Sequence, residues 1–356
     1  MNRQIEPRRS MQGVFASKFA MHMFTVTIIL VALSYVASRQ FTHIDLNLYG
    51  YMVGTFVFLG GLFYRFIMWA ERPPAKLFIR KGWKLLFRRK TAEVTVKDLT
   101  VYQFIWNRAV FRWTQHMLIG WGVIISCFVT FPLVFGWMYF TMADNGYYTV
   151  VFMSINTMTI PADSVLAYLF YNALNISAFM VIAGVSMALY RRVKSMQARA
   201  EQTFVYDFMP LYLLLFICIT GLLLTASNLF LGGWIHPTLS IIHQFSVVIT
   251  LIYLPFGKLA HIPMRPLGVF VKNYRDYYSK QSMKACKICS AEFVSIEQSN
   301  DVIDVLQKHE LDFEMKEGFH LAELCLPCRR KFRISRFSGK PTHESKVKEL
   351  NQNARG

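Results

Sequence analysis

The sequence predicts an all-α integral membrane bundle of six transmembrane helices, followed by a small C-terminal cytoplasmic metal-binding domain. Three observations carry this expectation. Of 356 residues, 54% are apolar and only 17% are charged, well under the roughly 25% charged residues of soluble domains. The apolar residues gather in runs long enough to cross a bilayer, which takes about 20 residues. Four of the six cysteines stand in two Cys-x-x-Cys pairs behind the last run. This composition excludes a disordered chain, a secreted disulfide scaffold and an ordinary cytosolic enzyme.

The six expected spans are 16–37, 48–69, 110–140, 165–190, 208–231 and 239–262. No small-residue cleavage site follows the first, so it reads as an anchor. The third is long enough to tilt or to project from the membrane. Basic residues set the orientation. The N-terminus carries Arg3, Arg8, Arg9 and Lys18. Arg72, Lys76, Arg80, Lys81, Lys84, Arg88, Arg89, Lys90 and Lys97 follow span two, and Arg191, Arg192, Lys194 and Arg199 follow span four. The alternate loops hold only Arg39. The positive-inside rule therefore places both termini in the cytoplasm, in a multi-pass protein of the inner cell membrane.

The formal charge of +18 points to anionic lipid headgroups. Nucleic acid is not expected as a partner, because the basic stretches lack a binding motif. Residues 74–90 set Leu77, Phe78, Ile79, Trp83, Leu85, Leu86 and Phe87 among cations. They read as a basic amphipathic helix on the inner membrane surface. The expected domains are 1–47 (the extra N-terminal helix), 48–264 (a five-helix unit with a basic loop, 71–109) and 265–356.

Six of the nine histidines, His22, His43, His116, His236, His243 and His261, fall in or near the spans. An ionisable group inside a span is a functional hypothesis, and neutral imidazole is the commonest metal ligand. His243 and His261 are 18 residues apart. On one continuous helix that is five turns and roughly 27 Å, so both face one way near opposite membrane surfaces. His116, in Arg112-Trp113-Thr114-Gln115-His116, matches the depth of His261. The two are the expected axial ligands of a b-type haem, with Arg112 and Arg108 beside its propionates. A second, outer haem on His243 would want a partner near Ser126 and Cys127, neither of which is suitable. His43 is the remaining partner in reach, and a quinone oxygen is the other use for His243. Pro255 kinks span six and can aim His261. Cys127 and Cys218 read as small apolar packing residues.

These residues resemble the cytochrome b (gamma) subunits of respiratory nitrate reductases, with related membrane subunits in heterodisulfide-reductase-like and sulfite-reductase-linked complexes. The matching features are Arg112 with His116, Arg191-Arg192, Asp207, Thr220-Gly221-Leu222, and His243 to His261 ending in Pro255-Phe256-Gly257-Lys258-Leu259-Ala260-His261. The resemblance spans about 48–264. It implies one or two b haems and quinol electrons passed to an iron–sulfur subunit that feeds a catalytic subunit. It makes His116 and His261 ligands of the inner haem and His243 a ligand of the outer one. Ser126 stands where the second outer ligand is usual. The N-terminal span, the basic loop and the tail depart from a minimal gamma subunit.

The tail carries Cys286-Lys-Ile-Cys289 and Cys325-Leu-Pro-Cys328, with 35 residues between the pairs. Two such knuckles close one tetrahedral site, and a cytoplasmic location disfavours disulfides. Zinc is the first choice. Rubredoxin-like iron is second, because Ser290 and Arg329 replace the glycine that often follows its knuckles. A helix is expected over 295–311, with Val302, Ile303, Val305 and Leu306 on its apolar face. His309 and His320 are read as surface or core residues, and the chain from Ser338 as a basic tail.

The function expected is quinone-linked electron transfer by a subunit that does not itself transform substrate; phosphate-binding glycine loops and nucleophile elbows are absent. The competing classes are a multi-span transporter, for which no internal repeat is seen, and a metal-dependent membrane sensor. Neither requires haem.

Overall fold

The computed structural model describes residues 11–44, 48–71, 73–107, 109–143, 146–194, 196, 202–308, 313–314 and 318–338. In chain order its helices are α1 (Met11–Ala37), α2 (Tyr49–Ala70), α3 (Pro73–Leu85), α4 (Arg89–Thr100), α5 (Gln103–Trp106), α6 (Val110–Val134) and α7 (Val165–Lys194). They continue with α8 (Met209–Phe230), α9 (His236–Tyr253), α10 (His261–Tyr278), α11 (Ile296–Lys308) and α12 (Leu326–Ser338). Among the described residues, five segments are long and apolar enough to cross a membrane: Ser17–Ala37, Tyr49–Ala70, Val110–Val134, Val165–Lys194 and Phe204–Phe230. The last begins with a π turn over Phe204–Phe208.

The chain divides into two compact units, Met1–Met68 with Lys97–Met264, and Trp69–Val96 with Arg265–Gly356. Most of the basic loop thus groups with the tail, whereas the sequence reading placed it with the membrane helices.

In the first unit, Val181, Val185 and Ala188 of α7 pack on Leu211, Leu214 and Cys218 of α8, with Ile119 and Val123 of α6 against them. Small residues let α6 and α7 approach closely. A Cβ on Gly122 would lie 2.6 Å from Val181 Cγ2, and one on Gly184 2.7 Å from Ile119 Cγ1. Ser126, the position where an outer ligand was sought, shares a 2.8 Å hydrogen bond with Ser177 across the same pair. Phe128 and Phe179 are exposed on the outside of these helices, as expected of surfaces that meet lipid.

The end of α4 and the bend after it also run beside α6. Trp113 Nε1 donates to the Val101 carbonyl at 2.6 Å and Trp121 Nε1 to the Thr100 carbonyl at 3.1 Å. Tyr102 turns the chain with φ 49°. Its hydroxyl fills the space at Gly120, where a Cβ would sit 2.8 Å away. The two indoles thereby tie α6 to the segment that precedes it.

Two expected spans are corrected. The third stops at Val134, and the residues assigned to its outer end form β1 (Met138–Ala143), paired antiparallel with β2 (Tyr147–Phe152), which pairs with β3 (Ile155–Pro161). Pro132 in the last turn and Gly136 at φ 66° end the helix. Val150 and Ile160 then pack with Ala167, against Met138 and Phe140. A continuous apolar run gives no period that separates helix from strand.

The sixth expected span is broken. α9 ends at Tyr253, just before Pro255, which has no N–H to continue it. A 3₁₀ turn over Lys258–Ala260 follows, and His261 opens α10. His243 and His261 therefore sit on different helices, and the single stripe that linked them does not exist. α9 has 18 residues and is not among the five spanning segments.

In the second unit, the apolar face of α3 is covered by protein. Phe78 stacks on Tyr274 at 4.8 Å, and Trp83 meets Phe270 edge-on at 5.2 Å. Gly82 allows the approach: a Cβ there would lie 1.9 Å from the Phe270 carbonyl oxygen. Lys81 Nζ reaches both Asp301 carboxylate oxygens at 2.7 Å and Glu297 at 2.9 Å. The Tyr274 hydroxyl donates to Asp301 at 2.5 Å. This corrects the expectation that Phe78 faces lipid, while Trp83 keeps half of its surface exposed. The expected tail helix is α11, with Val302, Ile303, Val305 and Leu306 half-buried. Arg3, Arg8, Arg9, Arg72, Arg108, Arg199, His309 and the chain beyond Ser338 lie outside the described residues.

Candidate metal centre and membrane histidines

The four tail cysteines are brought together. β4 (Met283–Ala285) and β5 (Glu292–Ser295) pair antiparallel, and the chain between them closes the first knuckle. Cys286 N–H donates to Ala291 O, and Ser290 N–H to Cys286 O, each at 2.9 Å. Ser290 has φ 56°. It holds the left-handed position that glycine would relax, so at the first knuckle a serine takes up the strained conformation in the place of the missing glycine.

The second knuckle begins at Cys325 and continues into α12, whose first turn contains Cys328. All four sulfurs lie within 4.8 Å of one another. Cys289 and Cys325 Sγ are 3.6 Å apart. Four thiolates at about 2.3 Å from one ion would be separated by about 3.8 Å, so the arrangement fits a tetrahedral metal. All four are free of disulfides. Leu324, Ile288, Phe293, Phe319 and Leu321 pack around them.

The electrostatics fit the same use. Burial pushes the Cys286 thiol up, but backbone N–H groups of Cys289, Cys325 and Ile288 donate toward its sulfur and bring it down to about 6. The Cys325 N–H···Sγ contact is 3.3 Å. Burial first, and then the neighbouring thiols, push Cys328 the other way. One thiolate forms readily, and further ones repel it until a cation joins them. His320, the nearby core histidine, is buried and accepts the Ala322 N–H at Nδ1, 3.0 Å away. It caps the turn before Cys325 together with Glu323, whose carboxylate takes the His320 N–H at 3.0 Å.

The membrane histidines sit in three separate settings. His116 Nδ1 is 2.7 Å from the Arg112 carbonyl, one helical turn back. His261 Nδ1 is 2.5 Å from the Lys258 carbonyl in the 3₁₀ turn. His243 Nδ1 is 2.9 Å from Thr220 Oγ1 on α8. Thr220 Oγ1 also donates to the Phe216 carbonyl at 2.9 Å, so the imidazole is the donor to Thr220. In each case Nδ1 is engaged by the protein, the kind of contact that also orients metal-bound histidine. His22 on α1 makes the same bond to Lys18 O at 2.6 Å, so this bond alone does not select ligands.

The surroundings separate them further. His261 lines a cavity of about 260 Å³ with Arg65, Tyr206, Phe256, Lys258 and Met264. Lys258 is ion-paired to Asp207. Asp207 is buried in the π turn, where its other oxygen takes the Thr203 N–H at 2.9 Å. Arg192 lies over the Phe208 ring at 5.6 Å, with buried guanidinium nitrogens that have no hydrogen-bond partner among the described residues. His243 meets Tyr51 at 6.4 Å between ring centres, and Gly221 leaves room for it, since a Cβ there would lie 3.3 Å from His243 Cε1. His43, the partner suggested for His243, instead stacks on Tyr139 at 4.4 Å.

Sequence reasoning missed Tyr51, which carries no motif. It noted Thr220, Gly221, Asp207 and Lys258 only as pieces of a resemblance. The chain matches no family model, no curated protein and no solved structure.

Proposed function

We propose that this chain is the membrane cytochrome b subunit of a respiratory oxidoreductase complex, similar to nitrate reductase gamma subunits. It moves electrons between the quinone pool and a partner iron–sulfur and catalytic subunit. The observation that carries this reading is the pair His116 and His261, each with Nδ1 held by a backbone carbonyl and each beside a cation, Arg112 or Lys258. His22 has the first feature at Lys18 but lies on the N-terminal span outside the five-helix unit.

His116 and His261 would hold one b haem through Nε2, with Arg112 at its propionates. The haem supplies one-electron transfer when bound. Asp207 fixes Lys258 and so fixes the turn that presents His261. His243 is the candidate for a second haem or for a quinone oxygen. Ser126 is committed to Ser177, and the quinone role suits His243 better. α9, at about 27 Å, serves as the sixth crossing and keeps both termini on the cytoplasmic side of the inner membrane. Zinc, or else iron, occupies the four cysteines.

The test is a dithionite-reduced minus oxidised spectrum of detergent-purified protein, with pyridine haemochrome quantitation. A b-type signal is expected, lost in His116→Ala and in His261→Ala but kept in His22→Ala. Haem-replete, folded protein without this signal would sink the proposal. A metal-dependent membrane sensor is the second reading, favoured by the four-cysteine centre.

A further inference from the structure

α3 was expected to lay its aromatic face on the membrane, but that face is occupied. Phe78, Gly82 and Leu85 are buried within the second unit, and Lys81 points the same way, held by Asp301 and Glu297. At 100° per residue, the opposite side of the helix carries Lys76, Arg80, Trp83 and Lys84, with Phe87 just beyond its end. All five are exposed.

The two aromatics are the anomaly. Trp83 is 52% and Phe87 83% exposed, although Trp83 already has one edge on Phe270. Between Pro73 and Ala92 the chain has no acidic residue. Glu71 flanks the face and is paired with Lys76 at 2.8 Å. Arg88 is not part of it, since its guanidinium stacks on Tyr277 at 4.6 Å. The face is therefore cationic through Arg80 and Lys84, extended by exposed Arg89 and Lys90.

We infer that this second face of α3 docks on anionic phospholipid headgroups, with Trp83 and Phe87 inserted at the interface. Charge complementarity selects the occupant, because cations alternating with exposed aromatics suit an acidic surface with an apolar layer beneath it. Chain connectivity supplies it at high local concentration. Residues 71 and 72 alone separate α3 from the spanning helix α2, a reach of roughly 10 Å. The inference rests on the membrane spans and is independent of haem.

The experiment uses full-length protein in nanodiscs, with Phe87→Cys labelled by acrylodan, Cys127 and Cys218 replaced by alanine, and the four-cysteine centre metal-loaded. The same protein without Phe87→Cys is the labelling control. In phosphatidylglycerol-containing discs the emission shifts to the blue relative to pure phosphatidylcholine. The shift disappears at 1 M salt, where the screening length falls to about 3 Å. Each cation near an anionic surface contributes about fivefold to binding, so Arg80→Glu/Lys84→Glu abolishes the shift.

Equal emission in the two lipids overturns the inference, as does a shift that survives the double reversal. A shift with soluble poly-glutamate but none with phosphatidylglycerol overturns it in favour of an acidic protein partner.

Discussion

The two units reach a fold by different means. In the membrane unit, helices pack through small residues and apolar chains, and several polar groups on them are satisfied by near neighbours: Thr220 and His243 by one another, Thr55 and Thr250 by carbonyls one turn back. The cysteine unit has short strands, a small core around Leu324, and a buried ion cluster at Lys81, Asp301 and Tyr274. One is held by packing spread over long helices, and the other by a few strong polar contacts and a four-cysteine cluster that could hold a metal ion. Local damage should therefore be tolerated in the first and disproportionate in the second.

Metal removal should divide them most sharply. Structural metal sites of this kind contribute on the order of 10 kcal/mol, so chelation, or Cys286→Ser with Cys325→Ser, should open residues 283–338 to protease. The spanning helices should keep their far-ultraviolet circular dichroism. Cleavage confined to spans would break the comparison.

Overpacking comes next. Gly184→Leu forces a side chain against Ile119, whose backbone N is 3.0 Å from the missing Cβ. A cost of about 1–3 kcal/mol should appear as a lower thermal midpoint in detergent, while metal content stays unchanged.

Asp301→Ala leaves Lys81 and the Tyr274 hydroxyl without their shared acceptor. We expect a loss of roughly 1–3 kcal/mol, seen as faster hydrogen exchange in α3 and α11 together. Burial pulls Lys81 down, but Asp301 and Glu297 outweigh it and raise its pKa above 10.5. Its contribution is complete below pH 10.5 and is lost as pH climbs through the raised value. The variant should show a smaller alkaline loss than the parent.

The smallest effect belongs to Glu323. Burial raises its carboxyl, but Lys284, at 2.8 Å, and the His320 N–H prevail and hold it below 4.5. It stabilises the tail above that pH and loses effect as pH falls through its folded value. Glu323→Gln should cost under about 1 kcal/mol at neutral pH and flatten the acid limb of an unfolding curve. An unchanged acid limb would assign that limb to other groups.

What the sequence revealed follows the same division. Spans rich in apolar residues were legible because the bilayer dictates their length, and the knuckles because thiolate pairs have few other uses. The sheet over 138–161 was hidden in an apolar run without period. The break after α9 was signalled by Pro255 but read as a kink, which preserved a stripe from His243 to His261 that the structure lacks. α3 was legible as an amphipathic helix. Its covering was not, because Tyr274 and Asp301 lie about 200 residues further along the chain, and no local pattern announces a partner so distant.

The two indoles on α6 have a consequence for bilayer adaptation. A lone span can slide along the membrane normal until its apolar length matches the lipid. Trp113 and Trp121 grip the carbonyls of Val101 and Thr100, so α6 cannot slide without dragging the end of α4 and the bend after it. Thicker or thinner lipid must then be met by tilt or by deforming the bilayer. The depth of His116, one turn from Trp113, is set by the protein and not by the host membrane.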